Sequence, residues 1–207
     1  TSNVLEMCSG LVILFAVITL VGLNGIHKKT WAALFTTLIV LVMIMGIFDV
    51  VIHHAEDLDY STMEYLGSIE NPDEIFHAEI LISGLGAIMD VAVAISASLS
   101  EIVEKKPEVT FLELFKSGRE IGYDIMGTMI NVLLFVFGCG MIPMCLIRMN
   151  NDVSLITIIK LHIPCELCRF LVESIGIVLA IPISILVTSV MIKVPGMFHR
   201  QKKARKV

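Results

Sequence analysis

The sequence predicts an all-α fold: a polytopic membrane helix bundle with five transmembrane helices and one short interfacial helix. Apolar residues make up 56% of the 207 residues, and they are gathered into long blocks instead of being spread over amphipathic faces. A helix needs about 20 consecutive apolar residues to cross the hydrocarbon core of a bilayer. The chain is therefore predicted to be an integral membrane protein whose main partner is the lipid bilayer.

Five of the apolar blocks are long enough to cross a membrane. The predicted transmembrane helices lie at about 8–26, 31–52, 80–100, 121–147 and 170–194. A shorter stretch at 153–165 contains Lys160, His162 and Pro164, which favours an interfacial or re-entrant helix over a crossing. No Ser/Gly-rich linker divides the chain, so residues 1–207 are predicted to form one transmembrane domain.

The charges between the blocks predict the orientation. The loop 53–79 is rich in Asp and Glu and contains no Lys or Arg, whereas basic residues follow the first, third and fifth helices and fill the tail 195–207. Cytoplasmic segments carry the excess of Lys and Arg. We therefore expect a cell-membrane protein with a cytoplasmic C-terminus and an extracytoplasmic N-terminus. Because the sequence starts at Thr1 on the outside, we also expect at least one further span upstream.

Asp90 stands in the middle of the third apolar block. A carboxylate at that depth costs roughly 2.5–3.5 kcal/mol on insertion scales, so it normally faces a helix bundle or a wet cavity. Small and polar residues recur around Asp90 at helical spacing, including Ser83, Ala87 and Ala94. Small residues allow close helix approach in lipid. The predicted helix-packing glycines are Gly84, Gly86, Gly127 and Gly176.

The fourth helix carries a second polar face, formed by Asp124, Thr128 and Asn131. No Lys or Arg lies within 80–100 or 121–147 to neutralise the two aspartates. A buried carboxylate must then be paired, bind a cation or be protonated. We hypothesise that Asp90 and Asp124 exchange a proton or cation and that Thr128 and Asn131 line its path. The alternative is that these side chains only make interhelical contacts.

Two other groups of polar residues give weaker signals. His53, His54, Glu56, Asp57, Asp59, His77 and Glu79 flank the acidic loop, and His162, Cys165 and Cys168 lie together. Neither group has the tight spacing and ligand number of a metal centre, so we predict no metal and no cofactor. Glu166, Arg169 and Glu173 follow at helical steps, which predicts ion pairs that anchor the helix at the interface.

Neither catalysis nor nucleic-acid binding is indicated by any motif. The sequence has no His-Glu-x-x-His, no Gly-x-Ser-x-Gly and no phosphate-binding glycine loop. We therefore predict that the protein is not an enzyme and does not bind nucleic acid.

Three segments carry a resemblance to a known family. They are Gly84–Ile95, Ser117–Met129 with its string Asp-Ile-Met-Gly-Thr-Met, and Ser174–Ile183. In order and spacing they resemble the YibE/F-like membrane proteins over about 28–192. The resemblance implies a bacterial multipass membrane protein and no established substrate or reaction. Glu173 stands where relatives usually have glycine.

A weaker similarity is to one half of an MMPL-type or other resistance-nodulation-division transporter. In such a half, the acid of the proton relay lies on the fourth span, which is the helix of Asp90 if an upstream helix is counted as the first. Val91 stands where those proteins have an aromatic residue after the aspartate.

Two functions are compatible with these patterns. The first is membrane transport of a small solute or ion, coupled to protons or cations through the intramembrane aspartates. The alternative is a non-transporting scaffold or assembly subunit that partners another membrane protein. Either function predicts a homo- or hetero-oligomer with another membrane subunit.

Overall fold

The computed structural model describes residues 4–54 and 72–204, and these residues are almost entirely helical. The five helices are α1 Val4–Asn24, α2 Lys28–His54, α3 Pro72–Lys105, α4 Phe111–Asn150 and α5 Leu155–Ala204. The predicted all-α fold is confirmed. Each of α2 to α5 contains a stretch long and apolar enough to cross a membrane, and α1 contributes a shorter apolar stretch, Glu6–Gly22.

The helix α4 begins at Phe111, well before the apolar block that starts at residue 121. Thr110 and Glu113 form a capping box: the Thr110 hydroxyl accepts a hydrogen bond from the Glu113 N–H (3.3 Å), and the Glu113 carboxylate accepts one from the Thr110 N–H (2.8 Å). The apolar pattern marks the part of a helix that meets lipid, whereas the cap determines where the backbone helix begins.

The connection between α4 and α5 differs from the prediction. The interfacial helix predicted at 153–165 is the first part of α5, which continues through Pro164 and Pro182. Residues 151–154 form the turn, in which Asp152 has a φ of 62°. Prolines are tolerated in membrane helices because neighbouring groups satisfy the freed backbone carbonyls. Of the predicted loop 53–79, residues 55–71 lie outside the described residues.

Three helices, α2, α3 and α5, form the centre of the bundle, with α1 against α3 and α4 mainly against α5. Phe48, Ile88 and Ile177 are among the largest fully buried side chains of this centre. Glu79 contacts Arg169 and Ser96 contacts Thr188, so residue numbers rise together along α3 and α5. These two helices therefore run parallel.

The helix α4 runs antiparallel to α5 and approaches it through two glycines. A Cβ atom at Gly118 would lie 2.8 Å from Cγ1 of Ile185, and one at Gly122 would overlap the side chain of Ile181. In lipid, small residues at such positions let two helices come close enough for extensive van der Waals contact. Gly118 and Gly122 therefore hold α4 on α5.

We expect Gly122→Ala to lower the stability of the protein in detergent by about 1–3 kcal/mol, because the added methyl group forces Ile181 out of its packed position. Thermal unfolding measures this effect. Gly127→Ala is the matched control on the same helix, since no described residue lies within 4 Å of the Cβ position at Gly127. Equal melting temperatures for the two variants would contradict close packing at Gly122.

Candidate functional site

Asp90 lies near the middle of the α3 span, His77–Lys105, and is exposed on the surface of the bundle. The buried face of α3 includes Ile88 and Ala92, and Asp90 is about 160–200° around the helix from both of them. Its carboxylate has no hydrogen-bond or ion-pair partner among the described residues. Asp90 is thus a mid-span acid that the rest of the described chain leaves uncovered.

Asp124, Thr128 and Asn131 are also exposed, on the side of α4 that faces away from α5. Gly122, which packs on α5, lies about 200° around the helix from Asp124. The Thr128 hydroxyl is 3.5 Å from the Asp124 carbonyl oxygen. None of the most apolar part of the α4 span is buried within the chain, whereas half of the corresponding part of α2 or α3 is buried. The outer face of α4 is therefore free to meet lipid or another protein.

The two aspartates lie at similar depths without touching. A Cβ atom at Gly118 would contact Leu99 as well as Ile185, and α4 runs antiparallel to α3. Counting from that contact places Asp124 within about one helical turn of the depth of Asp90. Each carboxylate nevertheless points away from the centre of the bundle, so the structure does not bring the pair together within this chain.

A polar cavity of about 470 Å³ opens at the Lys105 end of α3, lined by Lys29, Ser98 and Glu101 among others. A small cavity of about 10 Å³ adjoins it, and both are lined by Lys29 and Ala97. That volume is close to the minimum for one water molecule. Thr30 lines the small cavity, and its buried hydroxyl has no hydrogen-bond partner among the described residues.

These cavities lie on the same face of α3 as Asp90. Asp90, Val93, Ala97 and Glu101 follow at three- and four-residue steps, which places them along one stripe of a helix. Val93 and Ala97 line the small cavity, and Ala97 and Glu101 line the large one. Asp90 itself lines neither cavity, but the stripe runs from its position at mid-span to the polar opening at the Lys105 end.

The four glycines predicted to pack helices have different surroundings. Gly176 lies tightly against Ile44 of α2, and Gly84 lies beside Glu173 of α5, whose Cγ would be 4.0 Å from an added Cβ atom. Within the described part of the chain, no atom of a neighbouring helix lies within 4 Å of the Cβ positions at Gly86 and Gly127. These two glycines lie on the open faces of Asp90 and Asp124.

The sequence predicted only part of an ionic cluster that lies at the His77 end of the bundle. Arg169 donates to Glu79 of α3 and, over 2.5 Å, to Glu166 of its own helix. One turn deeper, the buried carboxylate of Glu173 accepts a hydrogen bond from the Ser83 hydroxyl. The sequence reasoning placed Glu166, Arg169 and Glu173 in one interfacial anchor. The burial of Glu173 against α3 could not be read from helical spacing alone.

Hydroxyl side chains form a second polar group that the sequence reasoning missed. Ser96 of α3 and Thr188 of α5 are 2.9 Å apart, and the Ser184 hydroxyl donates to the Ala92 carbonyl oxygen at 3.3 Å. All three hydroxyl residues are buried. Such bonds between membrane helices are worth about 0.6 kcal/mol each, so they fix the register of the parallel pair more than they stabilise it. In the sequence, the four-residue step from Ser184 to Thr188 could have predicted that both hydroxyls lie on one face of α5.

The residues described by the structure contain no group of three or more His, Cys, Asp or Glu side chains that could hold a metal ion. At the His77 end, His77 Nε2 is 2.8 Å from Asp49 Oδ1. Glu56, Asp57 and Asp59 lie outside the described residues.

Five long helices, four of them with membrane-spanning apolar stretches, and an uncovered mid-span carboxylate define a polytopic α-helical membrane protein. The chain belongs to the YibE/F-like protein family, whose family model matches residues 1–194. No curated protein and no solved structure matches the chain.

Proposed function

We propose that this chain is a membrane transport subunit in which Asp90 exchanges a proton or small cation with water that enters from the Lys105 end. The observation that supports this proposal is the stripe from Asp90 through Val93 and Ala97 to the polar cavity. A carboxylate in the middle of a membrane span is costly and marks ion or proton pathways. Exchange of this kind would drive the movement of a small solute or ion.

We propose that another membrane chain, or a second copy of this one, covers Asp90 and forms the other side of this water path. Asp90 and Asp124 lie at similar depths on faces that the described chain leaves open, and leaving each in lipid costs about 2.5–3.5 kcal/mol. A covering subunit removes that cost and brings Asp124, Thr128 and Asn131 into the same path. The charge pattern predicts that the Lys105 end is cytoplasmic in a cell membrane.

Proton uptake and release by liposome-reconstituted protein tests the proposal. The wild type is expected to show reversible proton uptake. Asp90→Asn should abolish this uptake and Asp124→Asn should reduce it several-fold, because the asparagine side chain has no carboxylate that can take up and release a proton. Asp152→Asn is the matched control: Asp152 is exposed in the α4–α5 turn, and its positive φ suits asparagine. If the four proteins behave alike while remaining folded, Asp90 is not a relay.

One observation favours the alternative, a scaffold or assembly subunit. The polar face of α4 lies opposite its contact with α5, where it can form hydrogen bonds with a partner helix. In that case, Asn131→Leu and Thr128→Val should weaken co-purification of the partner, and the Asp90 and Asp124 variants should leave proton exchange unchanged. Because a partner on this face is expected under both functions, the Asp90 and Asp124 variants separate them: proton exchange is lost only if the chain is a transport subunit.

A further inference from the structure

A larger cavity, of about 620 Å³, lies between α1, α2 and α3 at the opposite, His77 end of the bundle. Its body is lined by aliphatic side chains, among them Val12 of α1, Leu41 and Val42 of α2, and Leu81 of α3. Binding sites for small molecules have volumes of about 300–1,000 Å³, with mainly apolar walls and a few placed polar groups. This cavity has the size and the walls of such a site.

Apart from His77, the titratable side chains that line this cavity are acidic. Glu6 of α1 and Asp49 of α2 both line it, and His77 of α3 lies 2.8 Å from Asp49 Oδ1 and packs edge-on against Phe48. Neither Lys nor Arg is found among the described residues that line it. The contact with His77 positions the Asp49 carboxylate between α2 and α3.

The acids and the apolar walls lie at different depths. Glu6 begins the apolar stretch of α1, Asp49 is next to the last residue of the α2 span, and His77 begins the α3 span. Val12, Leu41 and Leu81 lie further inside the same stretches. The polar end of the cavity is therefore at the boundary of the membrane, and the apolar part extends into its hydrocarbon region.

We propose that this cavity binds a single-chain amphiphile with a cationic headgroup. The alkyl chain occupies the space between Val12, Leu41 and Leu81, and the ammonium group lies beside Glu6 and Asp49. An anionic headgroup would face two carboxylates at the same place, whereas a cationic one places an opposite charge beside Glu6 and beside the Asp49 carboxylate that His77 contacts. The site is separate from Asp90 and does not depend on the transport role proposed for that residue.

Binding is tested with the full chain in nanodiscs of zwitterionic phosphatidylcholine. The probe is a nitroxide-labelled long-chain alkyl trimethylammonium, and the comparison probe is the alkyl sulfate of the same chain length. Electron paramagnetic resonance measures the fraction of each probe that is immobilised. We expect a saturable immobilised fraction for the ammonium probe, with a dissociation constant lower than that of the sulfate by about tenfold or more, the scale of one to two charge contacts at a membrane surface.

Two variants separate the cavity from the charges. Val42 is exposed and lines the cavity, so Val42→Trp should fill the space and remove saturable binding. Ile39 is exposed on the same helix but does not line the cavity, so Ile39→Trp should retain saturable binding. Glu6→Gln combined with Asp49→Asn should bring the two dissociation constants close together, and the exposed Glu120→Gln should not. Asp90→Asn should bind as the wild type does, whether or not Asp90 is a relay.

Three results would overturn the proposal. They are equal binding of the ammonium and sulfate probes by the wild type, equal binding by Val42→Trp and Ile39→Trp, and an unchanged preference for the cation after neutralisation of Glu6 and Asp49. The first result would mean that the protein does not select a cationic headgroup, the second that the probe does not occupy this cavity, and the third that Glu6 and Asp49 do not select the headgroup.

Discussion

Arg169→Met is expected to destabilise the folded protein by about 2–3 kcal/mol. Arg169 donates to Glu79 on α3 and to Glu166 on α5, and its charge also acts on the buried Glu173. Removing the cation leaves three carboxylates close together without the arginine that pairs with two of them, in a partly buried setting. Breaking a wholly buried ion pair costs about 3–5 kcal/mol, and hydrogen bonds to charged groups are worth about 1.5–3 kcal/mol.

Thermal or denaturant unfolding in detergent measures the effect of Arg169→Met. Lys160→Met is the matched control, since Lys160 is an exposed cation on the same helix. Combining Arg169→Met with Glu79→Gln and Glu166→Gln should recover part of the stability, because it removes the unpaired charges. An Arg169→Met protein as stable as Lys160→Met would mean that the cluster contributes nothing to the packing of α3 on α5.

The second large effect is expected from Ala97→Leu, which should slow proton exchange at Asp90 by at least about tenfold without touching the carboxylate. Ala97 lines both cavities at the Lys105 end. The larger side chain fills the small cavity and removes the space for a water molecule next to Thr30. Exchange would then have to pass through a dry, apolar contact, where an unaccompanied charge is very costly.

Stopped-flow measurement with a pH-sensitive dye in liposomes compares Ala97→Leu with Ala87→Leu. Ala87 is also half-buried on α3 but lies towards the His77 end, outside the linings of these two cavities. If both variants exchange protons at the wild-type rate, water reaches Asp90 by another route. If both lose exchange and also melt earlier, the effect arises from packing, and the route through Ala97 is rejected.

Some features were predictable because they depend only on local sequence. The length of the apolar blocks sets how many helices can cross a bilayer. The Thr110–Glu113 capping box is also a local signal, but the prediction of a helix at 121–147 did not use it. The depth of Asp90 and Asp124 within their helices follows from counting. Family membership was carried by three segments that include both aspartates.

Other features depend on how one helix is rotated against another, which helical spacing does not specify. Glu173 has the same spacing from Arg169 as an exposed anchor residue would have, yet it lies buried against Ser83. Gly86 and Gly84 are equally small, but only Gly84 lies beside another helix. The interfacial segment at 153–165 was misjudged for a related reason. Its polar residues and Pro164 argued for an interruption, whereas the structure continues α5 through this segment and buries Ile158 and His162.

The sequence by itself determined that this protein is an all-α membrane protein of the YibE/F-like family with one carboxylate, Asp90, in the middle of a span and a second, Asp124, within the next apolar helix, because hydrophobic length and residue order are properties of the chain. Only the tertiary structure decided which side of each helix packs against other helices of the bundle. It turned Asp90 and Asp124 outward, buried Glu173 and placed Ala97 in the lining of a polar cavity and of a small cavity beside it. The physical reason is that helix rotation and crossing are set by close packing between distant residues, such as Gly122 with Ile181 and Gly176 with Ile44.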